Sequence, residues 1–183
     1  MHLSYRVLLH DCEYRALYDA LRRDDALWAL WPDVDADEWT PDALVAMLSR
    51  DDVLTVLGEI DGAPAGVMTM HPVMRRTLTA EIGVAAFRPH FPHAAALCRG
   101  ALLWACGRVK PASFLGKVAA PNRHALRLLG QVGFSELGRV PGLCWYTRKQ
   151  RFVDGVLVMA TPESIKNAAN AANAATAANA GGV

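Results

Sequence analysis

Residues 114–134 read FLGKVAAPNRHALRLLGQVGF, and the order of signals within them decides the fold. Phe114, Leu115 and Val118 make a short β-rich run that stops at Pro121. Asn122 follows, a residue type whose side-chain oxygen readily caps a helix N-terminus. Ala125, Leu128, Leu129 and Val132 then fall at the spacing of one helical face. Gly133 is a stop signal, because glycine enters the left-handed backbone region after a last helical turn without a steric penalty. The stretch therefore predicts a strand, an abrupt junction and an amphipathic helix closed by Gly133-Phe134, the unit from which α/β proteins are built.

Working outward, the apolar residues of about 93–108 predict a long helix before this unit, and residues 136–146 and 151–159 predict two strands after it. Upstream, residues 3–9 alternate as an opening strand. Residues 12–27 carry helical periodicity, with Arg22, Arg23, Asp24 and Asp25 at the solvated end. Residues 28–42 are rich in Asp, Trp and Pro, and Thr40-Pro41-Asp42 is a start signal for a second helix through Ser49. Residues 52–60 and 65–70 read as strands joined across the turn signal Asp61-Gly62-Ala63-Pro64, and residues 75–84 as a third antiparallel strand. The expected order is β-α-α-β-β-β-α-β-α-β-β, an α/β (α+β) fold with a mixed, mostly antiparallel sheet of six to seven strands and about four helices.

Composition narrows the class. A chain of 183 residues that is 52% hydrophobic can close one good core. Nineteen basic against eighteen acidic side chains leave a net charge of +1, and no Lys/Arg run is present to track a phosphate backbone or an anionic membrane. No apolar run approaches the roughly 18 residues a membrane span needs. With no basic-then-apolar leader at the start, a soluble, cytoplasmic protein that binds neither nucleic acid nor membrane is expected. Cys12, Cys98, Cys106 and Cys144 form no C-x-x-C pair, and His90-x-x-His93 has no third ligand nearby, so reduced thiols and no metal are expected. Residues 1–162 read as the domain. From 163 onward Asn167, Asn170, Asn173, Thr176 and Asn179 recur among alanines at every third position, a low-complexity tail that forms a marginal helix or stays disordered.

The pattern Asn122, Ala125, Leu128, Gly133, Phe134 resembles the N-x-x-A/S-x-x-L-x-x-x-x-G-F segment of the GCN5-related N-acetyltransferase (GNAT) superfamily. Residues 151–159, RFVDGVLVM, are similar to the closing strand of its ribosomal-protein N-acetyltransferase branch. The resemblance implies the family's fold and acetyl-CoA as co-substrate. It assigns the pantetheine arm to the Asn122 side chain and to backbone at Val84 and Ala86. It assigns the pyrophosphate to the loop that opens the long helix, here Arg88-Pro89-His90-Phe91-Pro92-His93-Ala94. That loop lacks the family's glycines, whose freedom lets successive N–H groups close on phosphate. Arg88 and His93, with the small Ala94, are the candidates to compensate. Glu81 is the implied base and His71 the second candidate. Leu129 stands where many members carry a Tyr that protonates the leaving thiolate. Trp28, Trp31 and Trp39 either wall a substrate pocket or anchor their segment to the core.

Two functions follow as expectations. The first is an acetyl-CoA-dependent N-acetyltransferase in which a primary amine, on a small molecule or a peptide, attacks the thioester directly. The second is a catalytically degenerate protein of the same fold that acts structurally, for example as a bacteriophage virion component. In that reading residues 164–183 capture a protein partner, and either form can be oligomeric.

Overall fold

The computed structural model describes residues 1–32, 35–74 and 78–180. An opening strand β1 (Leu3–Val7) leads into helices α1 (Asp11–Arg23), α2 (Leu27–Leu30) and α3 (Pro41–Leu48). Three strands follow, β2 (Leu54–Ile60), β3 (Ala63–Met74) and β4 (Thr79–Ala86). A 3-10 segment, Arg88–His93, runs into α4 (Ala94–Val109), and then come β5 (Ser113–Ala119) and α5 (Arg123–Val132). Strands β6 (Ser135–Tyr146) and β7 (Arg151–Ala160) precede the last helix, α6 (Pro162–Ala180).

Local chemistry explains the boundaries. The Glu13 carboxylate accepts N–H bonds from Leu9 at 3.0 Å and His10 at 3.2 Å, closing the first turn of α1. These bonds and the Arg6 guanidinium hold the Glu13 carboxyl at a pKa of about 2. The helix expected over 12–27 ends early because Asp25 takes a positive φ of 52°, and the chain restarts as α2. Thr40 Oγ1 accepts the Ala43 N–H at 3.1 Å, and Pro41 occupies the first turn of α3. The β2–β3 turn is tighter than the four residues expected. Asp61 and Gly62 alone make it, at φ 51° and 83°, and Ile60 pairs directly with Ala63. The N-terminal part of the third expected strand, residues 75–77, lies outside the described residues, as do 33–34 and 181–183 of the tail.

Seven strands lie in the order β1-β2-β3-β4-β5-β7-β6. Among the described residues only β4 and β5 run parallel; the other neighbours are antiparallel. On one face α4, α5 and α6 cover Val56, Met68, Ile82 and Phe114; on the other α1, α2 and α3 cover Leu57, Val67 and Ala85. The Ala/Asn-rich segment begins as α6, and its Ile165 is fully buried in the α4–α5 core. Gly133 makes that docking possible. A Cβ there would lie 2.6 Å from the Ser164 carbonyl oxygen, and its φ of 107° suits glycine alone. No described helix is long and apolar enough to cross a membrane.

Candidate functional site

The site begins where a ladder ends. β4 and β5 pair only through Thr79–Ser113, Ala80–Phe114 and Glu81–Leu115. β4 nevertheless stays bonded to β3 as far as Ala86, and β5 to β7 as far as Ala119. The two strands therefore part beyond Glu81 and Leu115, and a cavity of about 630 Å³ opens between them. No bulge of β4 against β3 opens it. The β3–β4 register runs unshifted from Gly66–Ala86 to Pro72–Ala80, so strict alternation holds along the strand. Ala80, Ile82 and Val84 face α4, while Ala85, two positions on from Gly83, faces the α1–α3 layer.

Val84, Ala86, Arg88, Ala94 and Asn122 all line this cavity. The Asn122 Oδ1 accepts the Ala125 N–H at 3.2 Å as the cap of α5, so its side-chain NH₂ remains to donate to a ligand. Arg88 is drawn to the end of α1: its backbone N–H donates to Asp24 Oδ2 at 2.8 Å and its Nε to the Asp24 carbonyl at 3.2 Å. His93 is exposed and is not among the lining residues; Phe91 of the same turn takes that place. Leu129 is buried in the wall.

Glu81 and His71 do not line the cavity either. They face each other across β3 and β4, and Glu81 Oε1 receives the Lys117 ammonium at 2.8 Å. Burial pushes the His71 pKa below its ordinary 6.5, against the pull of Glu81. Lys117 lines the cavity, so the row His71, Glu81, Lys117 meets it through the lysine. Sequence reading missed Lys117. Its signal was parity, since it sits on the strand face opposite Phe114 and Val118.

The tryptophans divide between the two roles considered. Trp28 lines the cavity and meets Tyr146 edge-on at 6.0 Å, with its Nε1 donating to the Asp25 carbonyl at 2.8 Å. Trp31 and Trp39 stack at 5.0 Å within the α1–α3 layer. Tyr146, at the end of β6, also lines the cavity and was not singled out from sequence, and so do Asp24 and Asp25, expected only as the solvated end of α1. No group of three His, Cys, Asp or Glu side chains among the described residues has metal-binding geometry.

A seven-stranded mixed sheet whose single parallel pair parts over a cavity is the architecture of the GCN5-related N-acetyltransferases, and solved structures bear this out. A spermidine N-acetyltransferase SpeG chimera from Vibrio cholerae and hSSAT superposes with a TM-score of 0.75 at 16% identity, covering 91% of this chain and 99% of that one. Vibrio cholerae spermidine N-acetyltransferase in complex with CoA and spermine gives 0.74 at 16% identity, over 89% and 97% of the two chains. An acetyltransferase of the GNAT family from Streptococcus pneumoniae gives 0.67 at 18%, over 87% and 99%. No protein-family model matches the sequence, and no curated protein matches it. The chain has the GNAT fold.

Proposed function

We propose that this protein is an acetyl-CoA-dependent N-acetyltransferase acting on a primary amine carried by a small cationic molecule. The observation that carries the reading is the parting of β4 and β5 over a cavity that reaches from Asn122 and Ala94 to Lys117. A pantetheine arm is a narrow chain with two amides. Strand edges without a ladder partner, Ile82 to Ala86 on one side and Gly116 to Ala119 on the other, offer N–H and C=O groups to match them. Trp28, Tyr146 and Asp25 line the same cavity, and aromatic faces beside a carboxylate favour a cationic ligand. The likeness to a spermidine N-acetyltransferase solved with CoA and spermine supports an acceptor of that charge.

In the reaction the neutral amine attacks the acetyl carbonyl carbon. The C–N bond forms, the C–S bond breaks, and the proton shed by nitrogen ends on the departing CoA sulfur. Lys117, ion-paired to Glu81, lines the cavity, and its positive charge is the one to offset the negative charge that develops on oxygen and then sulfur. Glu81 thus works through Lys117, and His71 stands behind Glu81.

Incubating the full chain with acetyl-CoA and a panel of primary amines that includes spermine and spermidine should release thiol only when an amine is present. Lys117→Ala should lower kcat by about 100-fold with little change in the KM for acetyl-CoA, as expected for lost transition-state stabilisation. Absence of amine-dependent thiol release, together with no acetyl-CoA binding at millimolar concentration, would overturn the reading.

A further inference from the structure

In Arg88–Ala94, the loop that should cradle phosphate in this fold, five of the seven positions have no free backbone N–H. Pro89 and Pro92 have no N–H. The Arg88 N–H is bonded to Asp24, the His90 N–H to the Phe87 carbonyl at 2.8 Å, and the Ala94 N–H to the Phe91 carbonyl. Helix α4 still points its positive end at the cavity, but a helix terminus without converging amides is a weak substitute for a cradle. Anion recognition then falls largely to side chains.

The neighbouring element supplies them. Arg123 and His124, on the first turn of α5, line the cavity and are exposed, so their polar ends are accessible. Phe91 of that loop and His124 pack with ring centroids 6.4 Å apart, which brings the first turn of α5 against the place the diphosphate must pass. Arg88 also lines the cavity, but its Nε is bound to the Asp24 carbonyl and its backbone N–H to the Asp24 carboxylate, so it is already committed in part to the end of α1. Asp25 is the other lining carboxylate.

We infer that the diphosphate of CoA is bound by the side chains of Arg123 and His124, in place of the amides of the glycine-free loop. The inference rests on the acetyltransferase reading and adds to it a binding mode carried by charge. Such binding weakens with salt more steeply than binding through buried amides, because exposed charges are screened. An Arg also offers paired donors to phosphate oxygens.

The test is calorimetric titration of the full chain with CoA at two ionic strengths, for the parent and for Arg123→Ala, His124→Gln, the double variant and Arg127→Ala. Arg127 is exposed on the same helix and does not line the cavity, so it controls for general charge loss. Arg123→Ala should weaken CoA about tenfold or more, as for a charge-assisted bond, and flatten the salt dependence. Arg127→Ala should leave both nearly unchanged. Parent-like CoA binding by the double variant would overturn this inference and leave the acetyltransferase reading intact. Failure of the parent to bind CoA at all would overturn both. All variants are at exposed positions, and a circular dichroism melt checks that each is folded.

Discussion

Strands β4 and β5 form one parallel pair with two unlike halves. In the closed half, Thr79 to Glu81 meet Ser113 to Leu115, the Thr79 and Ser113 hydroxyls lie 3.1 Å apart, and Phe114 is fully buried beneath them. In the open half, beyond Glu81 and Leu115, the same strands keep their outer partners β3 and β7 and lose each other. The closed half is anchored in the hydrophobic core through Ala80 and Phe114. The open half exchanges ladder bonds for two walls of accessible backbone, at a cost that only the adjoining strands can offset. The contrast teaches that the site is made by where pairing stops, while its chemistry comes from side chains placed at that boundary.

Breaking the closed half should have the largest effect. Phe114→Ala removes a fully buried aromatic side chain from the core shared by α4, α5 and α6. A loss of about 3–5 kcal/mol is expected, read as the shift of a urea unfolding midpoint at constant slope. The open half should tolerate change unevenly. A Cβ on Gly83 would lie 2.4 Å from the Leu30 carbonyl oxygen and 2.9 Å from Thr69 Oγ1, so α2 must move off β4. Gly83→Ala should therefore cost about 1–3 kcal/mol. Gly116, on the facing strand, would meet only Val158 Cγ2 at 3.0 Å, a side-chain atom that can shift. If Gly116→Ala proved as damaging as Gly83→Ala, the picture of β4 clamped under α2 would fail.

How much of this was legible follows the same division. Short-range signals were readable because they act within a few residues: the Asn122 cap, the Gly133 stop, the Thr40-Pro41 start and the alternation of the strands all specify local backbone. The opening of β4 from β5 was not readable from residues, since it depends on which ladders continue. Lys117 was hidden for a related reason. A single lysine in an apolar strand reads as a solvent-facing residue until its ammonium is known to reach Glu81. The repeat after residue 163 suggested a segment of its own. Its periodicity gives no hint that Ile165 enters the core, because that contact is set by the backbone gap at Gly133.

Asn122 sharpens the comparison at about 1 kcal/mol, because it serves the fold and the cavity with different atoms. Asn122→Ala should lose the cap on the Ala125 N–H and destabilise by about that amount. Asn122→Asp keeps an oxygen for the cap but removes the NH₂ donor and adds negative charge to the cavity wall. Thermal melts should place the Asp variant close to the parent and the Ala variant below it, while CoA titration should find both weakened. An Asp variant that binds CoA like the parent would show that the Asn122 amide does not reach the ligand.

The smallest effect tests the boundary itself, through His71 beside Glu81. Burial lowers the His71 pKa from 6.5, and Arg50 and Lys117 push the same way, while Glu81 and Asp52 oppose them. With the folded value below the unfolded one, the unfolded chain binds a proton between the two that the native protein refuses. Stability from this group is therefore complete above about pH 6.5 and falls as pH drops through the interval. The slope stays below the single-proton limit of about 1.4 kcal/mol per pH unit. Denaturant titrations from pH 7.5 to about pH 5 should show a shallower fall for His71→Asn than for the parent. Glu81→Gln should steepen it, because the one carboxylate facing His71 across the strands no longer favours the charged ring. An unchanged slope in Glu81→Gln would mean that Lys117 already neutralises Glu81 as seen from His71, making the row a closed ion pair with a bystander histidine.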